Sequence, residues 1–406
     1  MPPVRDNRDV RKRKLLLATV TFYQLQQLYQ QEPQLPGTIR PREISQLLAP
    51  PPPTNHEDTA GIALCLCSKR LKPRPPQGGR RVNIFRLEEM NEQDCLWAFR
   101  FTSEELLRLC EALQIPDPFK TARGHRFSAL EALCLLCARF RHGDDQYTLS
   151  TRYLRSQAAI SEVTNKLSDW IDERWGHLLD WDEKFLMHPC KLQEYANAFK
   201  KFGAPSSSIC GCIDCTIRQT CKPTWFQELA YTGYKKYHGM KFQAITIPNG
   251  LIGHLAGPFR APQNDNGVYA ESGIYDKMLT HAIQPGSTPN DPPERRYFQV
   301  YGDSAYGVSP VILSPYMSVS NLTPEQRQWN KEMGQMRISV EHGFGLVATN
   351  WPFLNVAWKH KIWGTRCGTF YRIAVLLTNA MSCFHPNQTA TRYDCMPPSV
   401  EEYFHD

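Results

Sequence analysis

Three acidic residues occupy positions where a charge is costly unless it is paired. Asp214 lies inside an otherwise uncharged run, flanked by Cys212, Ile213, Cys215 and Ile217. Asp303 follows directly on the apolar stretch 297–301, at the kind of strand end where a sheet opens onto its ligand. Glu341 stands beside Val340, at the edge of a long helical stripe. An ionised carboxylate on such an edge needs a counter-charge or a cation. Oxygen-only ligands on rigid elements suit Mg²⁺ or Mn²⁺. Two such ions, roughly 3.5–4 Å apart, serve phosphodiester cleavage: one activates a water or hydroxyl, the other stabilises the departing oxygen. Asp214, central in its sheet, is the expected bridge between the ions, with Asp303 and Glu341 each completing one side. The plain alternatives are a turn-capping Asp214, an Asx turn at Asp303, and an ion pair of Glu341 with Arg337 one helical turn earlier.

The elements that must bring these residues together are legible in outline. Residues 101–113 place Leu106, Leu107, Leu109, Cys110 and Leu113 at helical spacing, with Thr102 or Ser103 as N-cap. Ser128 and Glu131 form a capping-box signature that opens the apolar run 130–140. Further helical patterns at 149–154, 158–179 and 191–200 make residues 86–202 an all-helical block. From residue 203 the period changes. Residues 209–217, 240–247 and 251–256 read as strands, the last two joined by the turn Pro248-Asn249-Gly250. A helix near 270–282 and a strand at 297–301 follow. Thr323, Pro324 and Gln326 then open a long helix, whose stripe is Trp329, Met333, Met336, Val340, Phe344 and Val347. A last helix covers 371–384. The order of strands and helices predicts an α/β domain over 203–390, a mixed sheet covered by helices, with 391–406 as a C-terminal tail.

Composition bounds the rest. The chain has 406 residues, 41% of them hydrophobic and 21% charged, which is enough apolar material for a sizeable core. The longest apolar run, 14–22, falls short of the roughly 20 residues that cross a bilayer and lacks a signal-cleavage pattern, so a soluble intracellular protein without a membrane partner is expected. Its fourteen cysteines are dispersed and read as reduced, mostly buried thiols. Residues 1–90 hold 15 Lys and Arg against 8 Asp and Glu, and the remainder is balanced, so the formal excess of +7 sits entirely in the first quarter. Ten prolines between Pro33 and Pro76 exclude regular structure there. Residues 1–85 are therefore expected to form a basic, Pro-rich, mostly disordered arm, with 11–14 as a nuclear-import signal.

Other groups compete for attention. Cys210, Cys212, Cys215 and Cys221 invite a zinc reading, but on a strand Cys210 and Cys212 share a face that Cys215 does not, so they converge poorly. Lys235, Lys236 and Lys241 sit on the hairpin and are candidate phosphate contacts, with His238 and His254 nearby. The segment 146–171 has the form of a helix-turn-helix, burying Leu149, Tyr153, Leu154, Ile160, Val163 and Leu167. Ser161, Thr164, Asn165 and Lys166 then belong to the side that would meet a DNA major groove. An ordinary helical pair within a bundle is the alternative.

Five stretches carry a family resemblance: "GCIDCTIRQTCKP" at 211–223, "YKKYHGMKFQAITIPNGLIGHLAGP" at 234–258, "SGIYDKML" at 272–279, "YGDSAYG" at 301–307 and "RISVEHGFG" at 337–345. In this order they resemble the DDE transposases of the PIF/Harbinger superfamily, particularly the fungal-type branch. The resemblance implies an RNase H-like fold, with Asp214, Asp303 and Glu341 as the catalytic and metal-binding triad for two Mg²⁺ or Mn²⁺ ions. It implies hydrolysis of double-stranded DNA at element ends followed by strand transfer to a target, in the nucleus. It also implies a Myb-like DNA-binding partner and is compatible with a homo-oligomer. A catalytically inactive, domesticated DNA-binding or scaffold protein is the alternative. Two departures from the family pattern bear on this: Cys215 replaces the usual glycine after the first Asp, and "APQNDNG" puts Asn264 where a histidine commonly precedes Asp265.

Overall fold

The computed structural model describes Leu87 and residues 90–143, 145–317 and 322–406. The expected arm at 1–85, including the 11–14 cluster, lies outside the described residues.

The first part is helical, and each helix begins where a side chain can receive its unpaired amides. Helix α1 is Glu92–Phe99 and α2 is Ser103–Ala112, the latter closed by a reciprocal Thr102/Glu105 capping box. A short hairpin of β1 (Phe119–Lys120) and β2 (Arg126–Phe127) precedes α3 (Ala129–Arg141). Ser128 caps α3 through the Glu131 amide, but the Glu131 carboxylate turns instead to Arg155, at 2.6 and 2.5 Å. That buried fork ties α3 to the turn between α4 (Gln146–Tyr153) and α5 (Gln157–Trp175). The helix-turn-helix outline is present, with Ile160, Val163 and Leu167 fully buried and Leu154 half-buried. Helix α6 (Pro189–Phe202) ends at Gly203, whose φ of 107° stops the helix.

The sheet follows. Strand β3 (Ile209–Gln219) lies between β5 (Tyr237–Thr246), antiparallel to it, and β7 (Gln299–Tyr301), parallel to it. Beyond β7 lies β8 (Ile312–Leu313), also parallel. On the other side, β5 pairs with β4 (Tyr231–Thr232) and with β6 (Ile252–Arg260). Between β3 and β4 is a single turn, α7 (Gln227–Ala230). Helices α8 (Asp265–Glu271), α9 (Ile274–His281) and α10 (Pro293–Arg296) connect β6 to β7. The result is a mixed sheet flanked by helices.

Helix α11 (Pro324–Asn350) starts at the anticipated Thr323/Gln326 capping box with Pro324 in its first turn. Its stripe is buried as spaced: Met333, Met336, Val340, Phe344 and Val347. Helix α12 (Cys367–Phe384) is buried between the helical part and the sheet, and Asn379 on it bonds both backbone groups of Ile252 on β6, at 3.0 and 2.9 Å. This satisfies an edge that would otherwise be unpaired. Residues 391–406, expected as a tail, pack instead. After α13 (Gln388–Tyr393), α14 (Val400–Tyr403) buries Tyr403 completely, and Glu401 pairs with Arg108 at 2.9 Å. The signal missed there was the Ser399/Glu402 capping box. One hydrophobic cluster runs from Leu106 through Ile213 and Phe242 to Tyr403.

Candidate active site

Two of the three expected acids meet because of strand register. Cys212 on β3 lies opposite Tyr301 on β7 in a parallel ladder. Counting two residues on from each, with side-chain direction alternating, brings Asp214 and Asp303 out at the same end of adjacent strands. Gly302 makes the approach possible: a Cβ there would stand 2.7 Å from the Tyr306 ring and 3.1 Å from Ile213. The Cys215 amide donates to Asp214 Oδ1 at 2.8 Å, and the Ala305 amide to Asp303 Oδ1 at 2.9 Å. The Asx turn expected as an alternative to function at Asp303 is therefore present, and it coexists with a shared site.

The third member is Asp265. One carboxylate oxygen from each of Asp214, Asp265 and Asp303 lies within 4.8 Å of the other two. Asp265 is the first residue of α8, brought back to the sheet by the β5–β6 hairpin and the short loop after β6. Asn264 caps that helix, its Oδ1 accepting from the Gly267 amide at 2.7 Å. The asparagine that departs from the family pattern thus serves a cap for which asparagine is among the best residues. Lys241, buried on β5, pairs with Asp265 at 2.8 Å and also donates to the Gln263 carbonyl. The lysine expected to touch phosphate is used to hold a carboxylate.

Burial pushes the Asp214 carboxyl up to about 6, and the negative charges of Asp303 and Asp265 add to this; the Cys215 amide and Arg337 oppose it. The carboxylates at Asp214 thus lack sufficient counter-charge. Cys215, the second departure, lies near enough to Asp265 and Asp214 for their charges to add to the effect of burial on its thiol. Its Sγ lies 3.2 Å from the Tyr306 hydroxyl, and burial raises its thiol well above the usual range.

Glu341 is not in this group. It is exposed on α11 and pairs with Arg337 at 3.1 Å, the arrangement weighed against function from spacing alone. The physical reason is angular. Val340 points into the core, so Glu341 stands about 100° round the helix and turns to the cation four residues back. The sequence gives Asp265 only as half of a departing pair, not as a member of this cluster. The available signal was an asparagine cap followed by an acid in a helix's first turn.

Comparison with known proteins bears on this cluster. Residues 213–379 match the family model described as DDE superfamily endonuclease. All of the acids above, together with Lys241 and Arg337, fall inside that DDE-like region. "Protein ALP1-like" from Arabidopsis thaliana is 23% identical over 248 residues, which cover 60% of this chain and 58% of that protein. The chain therefore spans about 58% of the length of the curated relative it matches. No solved structure matches.

The donor set of the DDE-like region fits a hard divalent cation: three carboxylates, no nitrogen or sulfur, and a central acid whose burial is poorly compensated. The other predicted residues lie apart from it. Lys235 and Lys236 are exposed in the turn between β4 and β5, with Lys235 over the Tyr234 ring. His254 is buried on β6 with its imidazole lowered to about 4 by desolvation, so it is a neutral core residue. On α5, Thr164 is buried and Ser161 and Asn165 are half-buried, all three lining a cleft rather than a free helical face. Lys166 is exposed but donates to the Lys120 carbonyl at 2.5 Å. Insertion of this face into a major groove would require these contacts to open. Among the described residues, no helix is long and apolar enough to cross a membrane.

Proposed function

We propose that the protein is a DDE-type, divalent-metal-dependent DNA endonuclease of transposase origin, with an RNase H-like catalytic domain. The observation that carries this reading is the convergence of Asp214, Asp303 and Asp265 within one DDE-like region. Asp214 and Asp303 are the ligands fixed by strand register, and Glu341 is the acid that joins them when it leaves Arg337. Bound there, Mg²⁺ or Mn²⁺ supplies Lewis-acid polarisation of the phosphodiester, and a pair of ions serves attacking and departing oxygens. The chain's own residues do the rest. The Cys215 and Ala305 amides fix the rotation of the two aspartates. Lys241 holds Asp265 and so limits how negative the site becomes. Double-stranded DNA at element ends and at a target is the proposed substrate, with strand transfer in an intact element. Nuclear action, a Myb-like partner and a homo-oligomer belong to the same proposal.

A second reading draws on the outward Glu341: a domesticated protein that binds DNA or scaffolds partners without cutting. One experiment separates the two. The purified full chain is incubated with Mn²⁺ and a supercoiled plasmid carrying the genomic flanks of its gene. The first reading expects nicked circles, lost in Asp214→Asn and Asp303→Asn with DNA affinity retained. Intact plasmid together with a gel shift supports the second reading, and nicking that survives Asp214→Asn overturns the first.

A further inference from the structure

A cleft of about 400 Å³ opens between α5 and the segment 352–366, apart from the acidic cluster. Thr164 and Asn165 of α5 are among its lining residues. The Thr164 hydroxyl is buried and finds no hydrogen-bond partner among the described residues. Such an orphaned group is costly unless a ligand completes it. The rim carries Trp358, 69% exposed, with Lys359 above its ring at 4.7 Å, and Lys361 beside it.

Outside the rim the same chemistry continues. Trp363 and Phe226 stand ring to ring at 6.2 Å, 67% and 56% exposed. The backbone bond from the Cys221 amide to the His360 carbonyl joins this segment to the chain leaving β3. Residues 220–238 and 356–366 contain Lys222, Lys235, Lys236, Lys359, Lys361 and Arg366 against the single acid Glu228, with Lys359 donating to the Gly143 carbonyl and Arg366 paired with Asp169. Exposed rings interleaved with cations are poor solvent surface and a poor fit for the chain's own basic arm, whose charge has the same sign. They are the form of a single-strand platform, where bases stack and cations track phosphates.

We propose that this cleft is a nucleotide pocket for unpaired DNA. One nucleotide enters, its base stacking on Trp358 and bonding Thr164 and Asn165, its phosphate near Lys361, while neighbouring unpaired bases lie on Trp363 and Phe226. The chain leaving β3, the strand that carries Asp214, is joined to this platform by the Cys221–His360 backbone bond, and the proposed occupant is a strand held at the acids and unpaired beside the cut. The inference rests on the reading of the protein as one that acts on DNA.

The test uses the full chain in EDTA, so that nothing is cut, and compares by fluorescence anisotropy a blunt duplex with the same duplex bearing a short single-stranded tail. Wild type is expected to bind the tailed DNA roughly tenfold more tightly, about one stacked base's worth. Trp358→Ala should remove that preference and leave blunt-duplex affinity within about twofold; Thr164→Val, which keeps the shape, should weaken only tailed binding, by several-fold. Unchanged melting temperatures exclude unfolding as the cause. Equal binding of blunt and tailed DNA, no binding of either, or equal loss on both in Trp358→Ala overturns the pocket. Plasmid nicking with Mn²⁺, run in parallel, keeps the two readings separable: nicking without tail preference sinks the pocket alone, and tail preference without nicking sinks the nuclease alone.

Discussion

Removing the charge at Asp214 should make the protein more stable while abolishing its proposed activity. The carboxyl is lifted from 3.8 to about 6, chiefly by burial. Each tenfold change in proton affinity is worth about 1.4 kcal/mol, so keeping Asp214 ionised costs the folded state about 3 kcal/mol at neutral pH. The sign follows from proton counts. Between about pH 4 and 6 the folded protein binds more protons here than the unfolded chain, so stability falls as pH rises through that window and stays low above it. Asp214→Asn removes the charge but weakens the bond from the Cys215 amide, leaving a net gain of about 2 kcal/mol. At about 2 °C per kcal/mol for a chain this long, the melting temperature should rise by roughly 4 °C at pH 7.5 without metal. The gain should shrink steadily from pH 6 to pH 4. Differential scanning fluorimetry across that range, in EDTA, reads it directly. A variant that melts at or below wild type at pH 7.5, or a gain that does not vary with pH, refutes the claim that Asp214 is a buried and under-compensated charge.

The same assay tests the cation: millimolar Mn²⁺ should raise the wild-type melting temperature and leave Asp214→Asn unmoved, because only the folded cluster binds the ion. Lys241→Met strands Asp265 beside two other acids and should cost about 2 kcal/mol by urea denaturation, with Lys241→Met/Asp265→Asn recovering most of it. Asn264→Ala should cost about 1 kcal/mol through the lost cap of α8, and Asn264→Asp should not. Arg155→Met leaves Glu131 buried and unpaired and should cost about 3 kcal/mol, visible as a lowered urea midpoint.

The long elements were legible because each carries a period and a start signal that agree. The α11 stripe and its Thr323/Gln326 box specify the same helix, and both are found. The run 209–217 shows as a strand because its residues are β-branched or small and its charge is confined to Asp214. What spacing could not give is the rotation of a side chain at the edge of a buried face. Glu341 sits one residue from Val340, and whether it joins the acids or Arg337 depends on the reach of both partners, which no periodicity encodes. Asp265 was hidden for a different reason. Its approach to Asp214 depends on the length of β6 and the turn after it, and a seven-residue helix leaves too short a pattern to fix that return path. Ser128 and Glu131 show a third case, in which the motif was correctly seen and its second half is taken by a more distant cation, Arg155.

Arg337 is where the two functional readings diverge. It lies close enough to Asp214 to lower its proton affinity, and it also holds Glu341 outward. The Arg337–Glu341 pair is a partly exposed contact across one helical turn, worth about 0.3–0.5 kcal/mol. A ligand present at a thousand times its dissociation constant contributes about 4 kcal/mol, roughly ten times as much. A cation held by Asp214, Asp303 and Asp265 would supply counter-charge that Arg337 now partly provides, and would offer the Glu341 carboxylate an alternative partner to the guanidinium. The outward position of Glu341 rests on a contact this weak, so the two readings divide on one measurement: whether Mn²⁺ raises the melting temperature less in Glu341→Gln than in wild type, as a carboxylate that joins the ion requires.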